Sequence, residues 1–429
     1  MIKKKRYALV GVGGRASLFY EAIAGQYRGA SEVVAFCDPN QTRMDYANRV
    51  LKEKYRLPAV PSYGFEAFDQ MVKKEKPDSV IVTSIDRTHH SYIIRSLELG
   101  CEVITEKPMT IDEEKCQAIL DCVKRTKRKV RVCFNYRYAP HNTKAKELLM
   151  KKVIGEIFSI HFEWLLDIRH GADYFRRWHR DKRNSGGLLV HKATHHFDLV
   201  NFWLGTRPQI VYALGDLRFY GRANAESRGI SQFYARAHGS SYAQNDYFAL
   251  HLEENPVLKA MYLDAEWEDG YYRDQSVFGD GISIEDTMGV MVRYHNKAIL
   301  TYSLNAYMPW EGFRVGFNGS GGRLELAVGE NTCIDTAGKR EQEGSVKSER
   351  ITVYPMFGDA YPVEVEESEG GHGGADPFLL EDLFGPPKED PYHRSADHID
   401  GAVSILTGIA ANKSMMTGLP VKIDELVSF

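Results

Sequence analysis

The segment Gly11-Val12-Gly13-Gly14-Arg15-Ala16 constrains this chain most. It follows the apolar run Tyr7-Ala8-Leu9-Val10 and leads into a helix-forming stretch. A G-x-G-x-x-A turn between strand and helix has a physical logic. The first glycine permits the tight turn, the second lets a pyrophosphate approach the backbone, and the small third position keeps the helix close to the sheet. The exposed N–H groups and the helix dipole then favour an anion. Such a turn alone can serve geometry only, so its surroundings decide. Asp38 closes a second apolar run, Glu32–Cys37, about 20 residues beyond the turn, where an acid would bond the hydroxyls of an adenosine ribose. That acid repels a 2′-phosphate and favours NAD over NADP. Arg43, close by, argues the other way, and Pro39-Asn40 would by itself make Asp38 a turn residue.

From Tyr7 to Phe134 short apolar runs alternate with amphipathic stretches. Strands are expected at Tyr7–Val10, Glu32–Cys37, Ser79–Thr83, Glu102–Thr105 and Lys129–Phe134, with helices such as Arg43–Lys54 and Ile111–Arg125 between them. This alternation predicts a doubly wound parallel sheet, the Rossmann arrangement. Asp112 reads as a helix N-cap. Beyond Ala139 the texture changes. Ile157–Trp164, Thr287–Tyr294, Ala298–Asn305, Phe313–Asn318 and Arg323–Leu326 alternate as a largely antiparallel sheet would, with helices at His141–Lys151, His191–Leu204 and His398–Thr417. Residues 218–246 and 367–390 are rich in Gly, Ser, Pro and charge and are expected to form surface loops near the site. The expected fold class is therefore α/β: a Rossmann domain over residues 1–138, then an α+β domain over residues 139–429 with a large, mainly antiparallel open sheet.

At 429 residues with 26% charged residues and net charge −3, the chain reads as an ordinary globular protein of two domains. Lys3-Lys4-Lys5-Arg6 is too short for a nucleic-acid footprint, and no apolar run could span a bilayer. The first residues lack an h-region, and six cysteines (Cys37, Cys101, Cys116, Cys122, Cys133, Cys333) contain no CxxC pair. A reducing, cytoplasmic location is expected, without nucleic-acid or membrane partners.

At Glu106-Lys107-Pro108 the sequence resembles the Gfo/Idh/MocA (glucose–fructose oxidoreductase) family, and the resemblance covers nearly the whole chain. Ser84-Ile85-Asp86-Arg87-Thr88-His89 is similar to the family's T-P-[ND]-x-x-H, with isoleucine in place of proline. Asn135-Tyr136-Arg137-Tyr138 is similar to its N-x-R stretch. Gly186-Gly187, His191, His195, Asp198 and Trp203-Leu204-Gly205 follow the order of its GG-x-L-x-D-x-G-x-H-x-x-D helix. The resemblance implies an NAD site built from Gly11, Gly13, Gly14, Arg15, Ala16, Asp38, Ser84, Asp86, His89, Glu106, Lys107, Asn135 and Arg137. It implies that Lys107 polarises or deprotonates the reacting oxygen and that His195 acts as base or bonds the substrate. It also implies a cis bond before Pro108. His191 departs from the pattern, standing where the family commonly has aspartate. Spaced i,i+4 from His195, it would share a helix face and relay a proton.

Trp178 and His179, with Tyr174, Arg169, Arg176, Asp173 and Tyr271-Tyr272, would suit a pyranose, which stacks its C–H face and bonds its hydroxyls. His372 and Asp376 lie in Gly370-Gly371-His372-Gly373-Gly374-Ala375-Asp376, a stretch similar to one near the sugar site of NAD-dependent glycosidases. It reads equally as a flexible acidic loop. Its His372 and Asp376 could join His191 and His195 on zinc, but the Glu of HExxH is absent and no metal is expected. The reading that emerges is an NAD-dependent oxidoreductase moving a hydride between nicotinamide and a secondary hydroxyl of a carbohydrate, as a homodimer or homotetramer. A redox-assisted glycosidase is the alternative. A nicotinamide-sensing scaffold stands last, because Lys107 and the histidines are present.

Overall fold

The computed structural model describes residues 3–330, 345–366 and 371–429; Cys333 and residues 367–370 of the acidic stretch lie outside them. Six strands form the first sheet: β1 Lys5–Val10, β2 Ser31–Cys37, β3 Ser62–Tyr63, β4 Ser79–Val82, β5 Glu102–Thr105 and β6 Val130–Val132. Their order is β3-β2-β1-β4-β5-β6, and every pairing is parallel. This is the doubly wound order whose crossover falls between β1 and β4, where ligands bind at the carboxyl ends of the strands. The strands are apolar on both faces because helices cover both. Helix α1, Ala16–Ala24, buries Phe19, Tyr20 and Ile23. Helix α2, Gln41–Tyr55, starts at Asn40, whose side chain accepts from the Arg43 N–H. Asp112 caps the helix Glu113–Thr126 as expected.

The second sheet has nine strands: β7 Ile157–Asp167, β8 Pro208–Asp216, β9 Thr287–Tyr294, β10 Ile299–Met308, β11 Glu311–Gly319, β12 Gly322–Glu330, β13 Val346–Pro355, β14 Tyr361–Val363 and β15 Val421–Lys422. They run in the order β14-β13-β12-β11-β7-β10-β9-β8-β15, and among the described residues only β7 with β10 is parallel. One face alternates inward: Val290, Val292, Leu300, Tyr302, Leu304, Phe313 and Phe317 are buried. Against it pack the helices Ala193–Leu204 and His398–Thr417. The second of these ends at Gly418 in the left-handed region, as the sequence predicts.

Two expectations fail. The interval 367–390 is not all loop, because the segment Gly371–Phe384 turns through left-handed His372, Gly373 and Gly374 and continues as helix to Phe384. Leu379 and Phe384 are buried, and Phe384 packs edge-on to Tyr7 at 5.2 Å; this apolar spacing outweighs the glycines and charges that suggested a loop. The helix expected over His191–Leu204 is broken at Lys192: a short helix, Leu188–His191, precedes Ala193–Leu204. The interval 218–246 does remain largely irregular, with a short α-helix, Arg222–Ser227, and a 3-10 turn, Ser241–Ala243.

Candidate functional site

The glycine turn caps β1. Gly11 has φ +81°, and a Cβ there would lie 2.5 Å from the Ser84 Cα, so glycine is required twice over. Gly13 and Gly14 are open toward the turn: the nearest atom to a Cβ at either is the Tyr262 hydroxyl, at 3.8 and 3.1 Å. Asp38, at the end of β2 and only 5% exposed, accepts from the Val12 N–H at 2.6 Å and the Asn40 N–H at 2.8 Å. Burial raises its carboxyl, while those N–H groups and Arg43 oppose the shift. A Cβ-free cradle, Ala16 fully buried at the helix start and an acid on the next strand fit a dinucleotide.

A chain of polar contacts leads from this turn to the loop after β5. Arg15 Nε donates to Glu106 at 2.6 Å, and Glu106 also accepts from the Lys107 backbone N–H at 3.2 Å. Asp376, on the helix Gly371–Phe384, lies 3.9 Å from Arg15 and accepts from Asn135 at 2.8 Å and from His372 at 3.0 Å. The Lys107–Pro108 peptide is cis. The buried ring of His89 bridges the Pro108 and Ser84 carbonyls at 2.8 and 2.9 Å, bracing this loop against the loop after β4. The Ser84 hydroxyl meets Thr88 at 2.8 Å.

Lys107 stands half-buried where the two sheets meet, its Nζ 3.5 Å from the His191 carbonyl oxygen. Desolvation pulls its ammonium down to about 8, against the raising effects of Glu106 and Asp86. His191 Nδ1 and Asp86 Oδ2 lie 2.5 Å apart, both buried. Burial raises the Asp86 carboxyl and lowers the His191 imidazole. Around His191 stand His179, Tyr174 and Trp178, with ring centroids at 4.2, 5.5 and 6.0 Å; Trp178 and His179 are stacked at 3.6 Å. His195 turns to other neighbours, Tyr136 at 4.9 Å and Phe134 at 6.0 Å. The break at Lys192 thus gives the two histidines different surroundings, and the expected histidine pair becomes an aspartate–histidine pair plus a separate imidazole. Nδ1 of His179 and of His195 are buried without a hydrogen-bond partner among the described residues.

Arg137, expected in the cofactor set, has partners within the chain. Its guanidinium, 3% exposed, pairs bidentately with Asp198 at 2.6 and 2.7 Å and meets Asp400 at 3.1 Å. It braces the exit from the first sheet against two helices of the second. His372, with φ +53°, opens a left-handed turn through Gly374 and meets Tyr136 edge-on at 5.7 Å; it is a docked turn. Among the described residues no three His, Cys, Asp or Glu side chains are grouped to hold a metal ion. Sequence reasoning missed Tyr262, Glu268 and Asp269, which lie against the glycine turn and α2, because no motif marks their segment. It missed Lys192, whose ammonium lies over Trp164 at 5.1 Å and Tyr136 at 5.6 Å.

Two family models match the chain. Residues 5–134 match the oxidoreductase family's NAD-binding Rossmann fold, and residues 146–423 match its C-terminal alpha/beta domain. The chain belongs to the Gfo/Idh/MocA oxidoreductase family. It is 36% identical over 98% of both chains to the protein YteT of Bacillus subtilis (strain 168). A D-glucoside 3-dehydrogenase of Escherichia coli (strain K12) is 28% identical over 47% of this chain and 54% of its own. Glycosyl hydrolase family 109 protein 1 of Akkermansia muciniphila is 26% identical over 44% of this chain and 41% of its own. The Rossmann domain of this family member binds NAD, and no helix among the described residues is long and apolar enough to cross a membrane.

Proposed function

We propose that this oxidoreductase interconverts a secondary hydroxyl and a ketone on a sugar or glycoside. The observation that carries the reading is the placement of the Lys107 amine, 3.5 Å from the His191 carbonyl oxygen, beside the Asp86–His191 pair at the carboxyl end of the parallel sheet. NAD, when bound, supplies the hydride acceptor or donor. Lys107 in its neutral form takes the proton of the reacting hydroxyl, and in the reverse direction its ammonium returns it. His191 passes that proton onward, Asp86 fixing its ring through Nδ1 so that Nε2 is the exchanging atom. His195 offers a hydrogen bond to a second hydroxyl, and the stacked Trp178 and His179 give an apolar and polar wall for the ring. Glu106, Asn135 and Ser84 line the nicotinamide end, while Gly11, Gly13, Gly14 and Asp38 hold the pyrophosphate and ribose. The dehydrogenase among the relatives acts on a D-glucoside by its name, which agrees with a sugar ring. We take residues 1–138 as the cofactor unit and 139–429 as the substrate and assembly unit, working in the cytoplasm.

A second reading, the redox-assisted glycosidase, draws on the His372–Asp376 turn docked against Asn135 and Tyr136 and on the glycosyl hydrolase relative. Incubation with NAD and a panel of free sugars and glycosides separates the two. Stoichiometric NADH with a keto product is expected. Aglycone release without net NADH, with solvent deuterium entering the sugar, would replace the dehydrogenase by the glycosidase.

A further inference from the structure

Between β8 and β9 the chain leaves the second sheet on a long excursion. One part of it, residues 259–271, lies across the Rossmann domain. Its Tyr262 hydroxyl accepts from the Gly14 N–H at 3.0 Å, on the turn that faces a pyrophosphate. Further along, it reaches the start of α2. Ala265 O accepts from the Asn40 side chain at 2.8 Å, and Met261 O accepts from Arg43 Nε at 3.1 Å. Glu268 accepts from the Thr42 N–H at 3.0 Å, and also from the Gln41 N–H and the Thr42 hydroxyl. Asp269 takes Arg43 Nη1 at 2.6 Å, with Asp38 4.0 Å from the same nitrogen. The Arg43 guanidinium lies over Tyr262 and Tyr271, 5.5 and 5.7 Å from their centroids, and its Nη2 is buried without a partner among the described residues.

A 2′-phosphate beside Asp38 needs donors of a particular kind: N–H groups at the start of the helix after β2, a hydroxyl and an arginine. The chain has all three, in Gln41, Thr42 and Arg43, and each is already bonded to a carboxylate from the second domain. A phosphate dianion arriving there also meets Asp38, Glu268 and Asp269 against the single charge of Arg43. A ribose 2′-hydroxyl carries no charge and meets no such repulsion.

We propose that Glu268 and Asp269 are the residues that set the cofactor preference, filling from the second domain the place a 2′-phosphate would take. The arginine that would otherwise favour NADP is thereby turned into the latch of the strap that excludes it.

The test is a binding measurement on the full-length protein, by intrinsic-fluorescence titration with NAD, NADP, ADP-ribose and 2′-phospho-ADP-ribose. The wild type is expected to prefer NAD and ADP-ribose by about tenfold or more, a difference of about 1.4 kcal/mol. The double variant Glu268→Gln, Asp269→Asn should move the NADP-to-NAD affinity ratio at least about tenfold toward NADP, since two charges that repel the phosphate are removed. A wild type that binds the 2′-phosphorylated ligand as tightly as the other overturns the proposal whatever the variants do. So does a folded double variant with an unchanged ratio, or one that loses both cofactors together. If the double variant does not fold, as judged by circular dichroism, the single Asp269→Asn change must shift the ratio in the same direction for the proposal to stand.

Discussion

Lys107 owes its depressed pKa to burial, and burial disfavours the ammonium at every pH. The sign of the pH dependence follows. Below about 8 the amine is protonated and cannot take the hydroxyl proton; above it the neutral amine can. Oxidation is expected to gain kcat/KM as pH rises through 8 and then level off, while ketone reduction falls over the same range. Profiles measured in both directions with one substrate should cross; parallel profiles would remove Lys107 from the proton step. Lys107→Met should cost about 10²–10⁴ in kcat, the usual contribution of a positioned acid or base, with NAD still bound in a fluorescence titration. For Asp86, acting through His191, the informative change is Asp86→Asn. It keeps the size of the side chain but replaces the carboxyl that orients the imidazole. A fall in kcat of about 10² or more, with a displaced pH profile and little change in KM, is expected. A drop in thermal stability with an unmoved profile would make the pair structural only.

At the scale of elements, the site depends on how closely two helices cross. Gly408, within His398–Thr417, faces the short helix that carries His191. A Cβ there would come within 2.2 Å of the Leu189 carbonyl oxygen and 3.1 Å of the Val190 Cα. Backbone cannot yield as a side-chain tip can, so Gly408→Ala must shift Leu188–His191 and with it the imidazole. Overpacking of this kind costs about 1–3 kcal/mol. A lowered melting temperature together with a kcat loss larger than any change in NAD affinity is the expected outcome; wild-type kcat would show that the crossing can relax. This dependence also explains what could be read from the sequence. The parallel strands, the glycine turn, Asp38 and the Lys107 loop were legible because their chemistry is local: a period of two, a positive φ, an acid at a strand end. The helix Gly371–Phe384 was not, since its charges and glycines argued for a loop while its apolar stripe found partners in Tyr7 and Tyr27, more than 350 positions away. The structural partners of Arg137 were illegible for a related reason. Its motif marks it for the cofactor, but its partners Asp198 and Asp400 arrive from the other sheet's helices.

Across the whole molecule the two sheets are joined by polar contacts that no single segment announces. Arg137 with Asp198 is buried on both sides, so removing one partner strands a charge, at a cost of about 3–5 kcal/mol. Arg137→Met should therefore destabilise far more than it weakens NAD binding, which separates a brace from a cofactor ligand; equal melting temperatures with lost NAD affinity would restore the ligand role. The outer face of the nine-stranded sheet presents a different demand. On neighbouring strands β8, β9 and β10 the exposed side chains Leu214, Met291 and Ile299 lie on one face: Leu214 is paired with Gly289, Met291 with Thr301 and Ile299 with Arg293. Exposed apolar side chains on one sheet face can meet the same side chains of a second copy across a two-fold axis. We propose that this face joins subunits into a homodimer or homotetramer. Light scattering on the eluting protein should give an even multiple of 48.7 kDa. The double change Leu214→Glu, Met291→Glu should lower that mass while leaving the NAD titration intact, since neither residue touches the Rossmann domain's glycine turn. A wild-type mass of one chain, or an unchanged mass in the variant, would move the interface elsewhere.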